Sequence, residues 1–130
     1  MAASPKLVCL VLLTATIVNI VITVEAGPWC VVRSGASYQN LQQGMNYACA
    51  SGADCGPIRP GGSCFNPNTI QNHASYAYDS YYQRHGKAPG TCDFGGTATI
   101  AITDPSFGAC RYPGSLRTDG EASTTMNNSN

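Results

Sequence analysis

Residues 73–85 read HASYAYDSYYQRH, which sets four tyrosines, two histidines and a single acid on one short segment. Phenols, imidazoles and a carboxylate can hold a metal, move protons, or offer flat rings to a ligand. Each task imposes its own spacing. His73 and His85 would stand ~18 Å apart on an intact helix rising ~1.5 Å per residue, too far to share an ion. Both read instead as surface or capping groups, and His85 in a last turn suits the helix dipole. No cofactor is implied. Glycoside hydrolysis needs two carboxylates at a controlled separation. Between Trp29 and Tyr112 the acids are Asp54, Asp79, Asp93 and Asp104, with no glutamate, and turn, cap or surface roles account for each. The serines and histidines come without a Gly-x-Ser-x-Gly elbow. Catalysis is therefore not expected. Ring surface remains.

The rings need a helix to position them. Asn66 is the expected N-cap, Pro67 the first helical residue and Gly86 the stop, with Phe65 and Ile70 placed as a hydrophobic staple. Ile70, Ala74, Ala77 and Tyr81 recur at helical spacing and form the expected core stripe. Tyr78 and Tyr82 run along a neighbouring edge. Tyr76 lies nearer the polar side, with Asn72, Asp79 and Gln83. That is more aromatic surface than one core stripe requires. A ring left exposed suits a sugar, whose apolar face stacks on it while hydroxyls bond nearby amides and phenols. The competing reading is packing, since small disulfide-rich domains also use tyrosine as a core residue.

A second helix is expected from Ser37, as N-cap, to about Ser51, with Tyr38, Leu41, Met45, Ala48 and Cys49 on one face. Gly44 in its middle costs ~1 kcal/mol against alanine. The glycine- and proline-rich segment 51–64 between the two helices reads as a loop. Beyond the tyrosine helix, Ala98, Ile100 and Ile102 alternate with threonine and alanine as in a half-buried strand, and Asp104-Pro105 turns the chain. The residues thus give two helices and a short strand or hairpin, not a large sheet.

The cysteines bound the domain. Lys6, the apolar run 7–24 and the small residues Val24 and Ala26 have the form of a secretory leader, with cleavage expected after Ala26. The alternative is an uncleaved anchor, but the run is near the lower limit for a bilayer span and Asn19 interrupts it. Of seven cysteines, Cys9 lies in the leader. Cys30, Cys49, Cys55, Cys64, Cys92 and Cys110 remain, an even set that reads as three disulfides with 15 possible connectivities. None has Cys-x-x-Cys spacing, so a metal reading is weak. Removing Lys6 and Glu25 from seven basic and seven acidic residues leaves six of each. A balanced surface offers nothing to nucleic acid or an anionic membrane, and a neutral partner fits better. The expected division is a leader at 1–26, one domain at 27–114 and a disordered polar tail at 115–130. The tail lacks a hydrophobic segment, which argues against a lipid anchor. It carries a sequon at Asn127.

Trp29-Cys30, the stretch ACASGADCGPIRPGGSCFNPNT at 48–69, HASYAYDSYYQ at 73–83, GTCDFGGTATI at 90–100 and DPSFGAC at 104–110 together closely resemble the plant family-43 carbohydrate-binding module. The match runs from about Trp29 to Pro113 and includes all six cysteines. That family occurs on plant β-1,3-glucanases, in membrane-anchored plasmodesmal callose-binding proteins, and as short secreted forms of pollen-allergen type, which this chain most resembles. The resemblance implies a secreted, non-catalytic, monomeric module of the plant cell wall that binds β-1,3-glucan (callose or laminarin-type chains). It also implies the fold class, α+β, a small disulfide-rich domain of two packed helices with a small antiparallel sheet, and the pairing Cys30–Cys92, Cys49–Cys55 and Cys64–Cys110. Where relatives often have asparagine at position 79, this chain has Asp79. Where phenylalanine is common it has Tyr78, which points to burial there. Tyr76 and Tyr82 are thus the expected stacking rings, with Asn72, Asp79 and Gln83 as polar contacts and Trp29 in the core. The rival expectation is a secreted interaction protein whose tyrosine face meets another wall protein, such as a glucanase.

Overall fold

In the computed structural model, residues 4–9 and 26–115 are described. The expected leader and polar tail fall largely outside these residues. The element order is β1 (Trp29–Val32), α1 (Tyr38–Ala50), a 3-10 turn (Gly56–Ile58), α2 (Ile70–Arg84) and β2 (Ala98–Ala101). The α+β expectation holds. β1 and β2 pair antiparallel, with Cys30 opposite Ile100, and α2 lies between α1 on one side and β1 on the other.

Helix α1 begins as its sequence indicates. The Ser37 side chain accepts a hydrogen bond from the Asn40 N–H, satisfying one of the first-turn donors. Leu41 and Ala48 are buried and Met45 and Cys49 half-buried, but Tyr38 is exposed. Gly44 lies against α2. A Cβ there would overlap the Tyr78 hydroxyl, so the glycine that weakens the helix locally is what allows this crossing.

Helix α2 starts later than expected. Thr69, with extended backbone, is the N-cap, and its hydroxyl accepts from the Asn72 N–H. Asn66 and Pro67 precede the helix, joined by a cis peptide. Phe65 packs instead on the ring of His73, whose Nε2–H donates to the Phe65 carbonyl at 2.7 Å. The stop is as expected: His85 is the C-cap and Gly86 follows with φ 64°, a left-handed turn that costs glycine least.

The disulfides are Cys30–Cys92, Cys49–Cys55 and Cys64–Cys110, the pairing implied by the resemblance. They join β1 to the loop after α2, the end of α1 to the 3-10 turn, and the approach to α2 to the C-terminal stretch. Trp29 is in the core. β2 differs from the simple alternation. Ala98 is buried, but Ile100 and Ile102 face solvent, because β2 is the outer strand of a two-stranded sheet.

Candidate functional site

The residues expected to meet a sugar are mostly committed to the interior. Tyr76 and Tyr82 are each only 6 % exposed. Tyr76 packs edge-on against Tyr112, with ring centroids 5.3 Å apart. Burial pushes its phenol up to about 12, with Asp54 and Asp79 adding to the shift. Asp79 is wholly buried. Its Oδ1 accepts from the Cys30 N–H at 3.0 Å and from Gln83 Nε2 at 3.2 Å, while Oδ2 has no partner. Desolvation outweighs these two bonds and raises the carboxyl to about 7. Gln83 Nε2 also donates to the Pro28 carbonyl, and Asn72 Nδ2 donates to the Cys64 carbonyl. Asn72, Tyr76, Asp79 and Gln83 tie α2 to β1 and the residue before it, to the segment before α2 and to the C-terminal stretch, and Tyr82 is buried. They do not form an open ring platform. The physical reason is that α2 is covered on both sides, so a helical wheel drawn for one core face places Tyr76 and Tyr82 outside when they are inside.

An aromatic cleft of about 460 Å³ lies instead where α1, α2 and the loop 90–97 meet. Asn40, Gln43 and Tyr47 come from α1, one turn apart on the same face. Tyr81 comes from α2. Thr91, Asp93 and Phe94 come from the loop, whose base is fixed by Cys30–Cys92. The rings of Tyr47, Tyr81 and Phe94 meet at centroid distances of 5.3–6.4 Å, tilted or edge-on. Tyr47 is 58 % exposed, and Tyr81, expected in the core stripe, is half-buried on the wall of the cleft.

The wall is held from beneath. Phe94 has φ 50°, outside the usual range for a side-chain-bearing residue, and stacks on Tyr78 with centroids 4.0 Å apart and planes 1° from parallel. Thr97 Oγ1 donates to the Phe94 carbonyl at 2.7 Å. That leaves the Tyr78 hydroxyl to donate to Thr97 Oγ1, also at 2.7 Å. Tyr78 thus supports the cleft floor from inside the core, in keeping with the burial expected of it. The Tyr47 hydroxyl, with a smaller effect of burial, raises the Tyr81 phenol above its ordinary value, so the Tyr81 hydroxyl keeps its proton and can donate a hydrogen bond at neutral pH. Aromatic faces, two amides, a carboxylate and hydroxyls in one open cleft are the elements of a neutral, hydroxyl-rich ligand site.

Sequence reasoning missed Tyr47 and Phe94. For Tyr47 a signal existed: Asn40, Gln43 and Tyr47 recur at helical spacing off the apolar stripe. For Phe94 none existed, because its place depends on a disulfide and on a contact with Tyr78, distant in sequence.

Fold and cleft together define a disulfide-stapled α+β domain with an open aromatic groove. Residues 28–99 match the model of the X8 domain, and the chain belongs to that family, in agreement with the resemblance read from its motifs. It is 52 % identical over 88 residues to a glucan endo-1,3-beta-D-glucosidase of Olea europaea, covering 68 % of this chain and 19 % of that protein. It is 46 % identical over 99 residues to plasmodesmata callose-binding protein 2 of Arabidopsis thaliana, covering 75 % and 51 %. It is 49 % identical over 85 residues to the major pollen allergen Ole e 10 of Olea europaea, covering 65 % and 69 %. The chain thus spans about a fifth of the first relative and half of the second.

Proposed function

We propose that this protein is a non-catalytic module that binds β-1,3-glucan, and that the Tyr47–Tyr81–Phe94 cleft, not the Tyr76–Tyr82 edge, receives the sugar chain. The observation that carries the reading is an open aromatic cleft flanked by Asn40, Gln43 and Asp93 in a chain similar to a callose-binding protein. Pyranose faces would lie on Tyr47 and Tyr81, and the amides and Asp93 would take the ring hydroxyls. The neutral partner fits the balanced charge. Cleavage of the leader after Ala26 would deliver the module to the cell wall, where its disulfides are stable.

Depletion from solution by insoluble β-1,3-glucan tests this, with cellulose and xylan as controls and release of reducing sugar followed in parallel. Selective depletion without sugar release is expected. Equal depletion by all three polymers would overturn the assignment of ligand, and release of sugar would overturn the non-catalytic reading.

A further inference from the structure

Of the chain's seven tyrosines, Tyr76, Tyr78, Tyr82 and Tyr112 are buried, whereas Tyr38 and Tyr47 are exposed and Tyr81 is half-buried. Only Tyr47 and Tyr81 both reach solvent and meet each other. Their ring centroids are 5.9 Å apart with planes at 50°, a twisted arrangement and not a parallel stack. Tyr81 also stacks with His85, centroids 3.9 Å apart, and Phe94 meets it edge-on. Tyr47 is therefore the phenol that Tyr81 can reach. With three disulfides the domain belongs to an oxidising compartment, where one-electron oxidants can meet exposed phenols.

We propose that Tyr47 and Tyr81 form an oxidative cross-linking site, at which a haem peroxidase using hydrogen peroxide joins the two rings and so locks the cleft. Each phenol gives up one electron and one proton. The two phenoxyl radicals combine through ring carbons ortho to their oxygens, and the displaced ortho hydrogens move to those oxygens. One carbon–carbon bond forms, and the two electrons and two protons reduce one hydrogen peroxide to two waters. Two groups held side by side react at effective concentrations far above those of separate molecules, so the intramolecular product outruns dimers formed through Tyr38. The covalent site stands on the geometry of the ring pair alone. Its consequence, occlusion of the cleft, rests on the glucan-binding reading.

The test treats the disulfide-bonded protein at low concentration with a haem peroxidase and limiting hydrogen peroxide. A monomer lighter by two hydrogens, with dityrosine fluorescence and a proteolytic fragment joining the segments that hold Tyr47 and Tyr81, is expected. Tyr47→Phe and Tyr81→Phe, each checked for an unchanged melting transition, should each lower its yield by at least about tenfold. An unchanged monomer mass, dimers joined through Tyr38 as the main product, or a product that persists in both variants would overturn the site. Glucan retention is then compared between cross-linked and untreated monomer. Loss on cross-linking supports the lock, and equal retention overturns it. Failure of the untreated protein to bind glucan would count against the proposed function, while the mass measurement still decides the cross-link.

Discussion

Gly44 of α1 and Tyr78 of α2 meet where no side chain can stand between them: a Cβ on Gly44 would overlap the Tyr78 hydroxyl. That hydroxyl continues to Thr97, and the ring stacks on Phe94. A helix crossing in the core is thereby connected to the wall of the cleft.

Gly44→Ala is expected to destabilise the protein despite the better helix former. Alanine gains ~1 kcal/mol of helix propensity, but overpacking a filled site costs ~1–3 kcal/mol. Denaturant unfolding should show a net loss of about 1 kcal/mol, with weaker glucan retention as Tyr78 shifts under Phe94. The loss should shrink in the Tyr78→Phe background, where the overlapping oxygen is absent.

Alanine scanning should separate the two sets of tyrosines. Tyr47→Ala removes an exposed ring and is expected to abolish glucan retention with a stability change within about 0.5 kcal/mol. Tyr76→Ala and Tyr82→Ala empty buried sites and are expected to cost ~3–5 kcal/mol. Chemical denaturation beside the retention assay reads both effects.

Asp79 predicts a pH dependence of definite sign. Burial raises its folded pKa to about 7, Asp104 adds to the rise, and the Cys30 and Gln83 bonds and Lys87 oppose it. Below the unfolded value of about 3.9 both states hold the proton and the contribution is complete. As pH rises from there towards about 7 the unfolded chain ionises while the folded state holds its proton, so stability falls, and it levels off once the folded carboxyl also ionises. The upper bound is about 4 kcal/mol. Asp79→Asn keeps an acceptor for Cys30 and Gln83 and cannot ionise. Melting temperature measured from pH 4 to pH 8 should decline less steeply with pH in the variant than in the parent.

The disulfides should rank by the chain they close. Separations of 62, 46 and 6 residues belong to Cys30–Cys92, Cys64–Cys110 and Cys49–Cys55. The loop-entropy model gives the two long closures about 4 kcal/mol each and the short one about 2 kcal/mol less. Paired Cys→Ala variants, unfolded in denaturant, check the order. Loss of Cys30–Cys92 should also weaken glucan retention most, because it anchors the loop bearing Phe94.

Local chemistry was readable in the sequence and long-range packing was not. Cysteine parity, the Ser37 cap and the Gly86 stop are decided within a few residues, and the structure has all three. Asn66-Pro67 carries the residue types of a helix start, yet Thr69 provides the cap, because either residue can satisfy first-turn donors and only the fold selects one. The wheel for α2 failed in both directions, with Tyr81 on the cleft wall and Tyr76 and Tyr82 in the core. A period identifies one buried face, and α2 has neighbours on two sides. Asp79 shows the same limit: a carboxylate beside tyrosines on a polar face reads as a sugar contact, and the structure spends it on the Cys30 N–H and Gln83.

The most direct test is to follow backbone amide chemical shifts of the isotope-labelled protein as a soluble β-1,3-gluco-oligosaccharide is added. Shifts gathered on Asn40, Gln43, Tyr47, Tyr81 and the loop 90–97, and saturating with the sugar, are the predicted result. Saturable shifts centred on Asn72, Tyr76 and Tyr82 with the cleft unmoved would contradict the account.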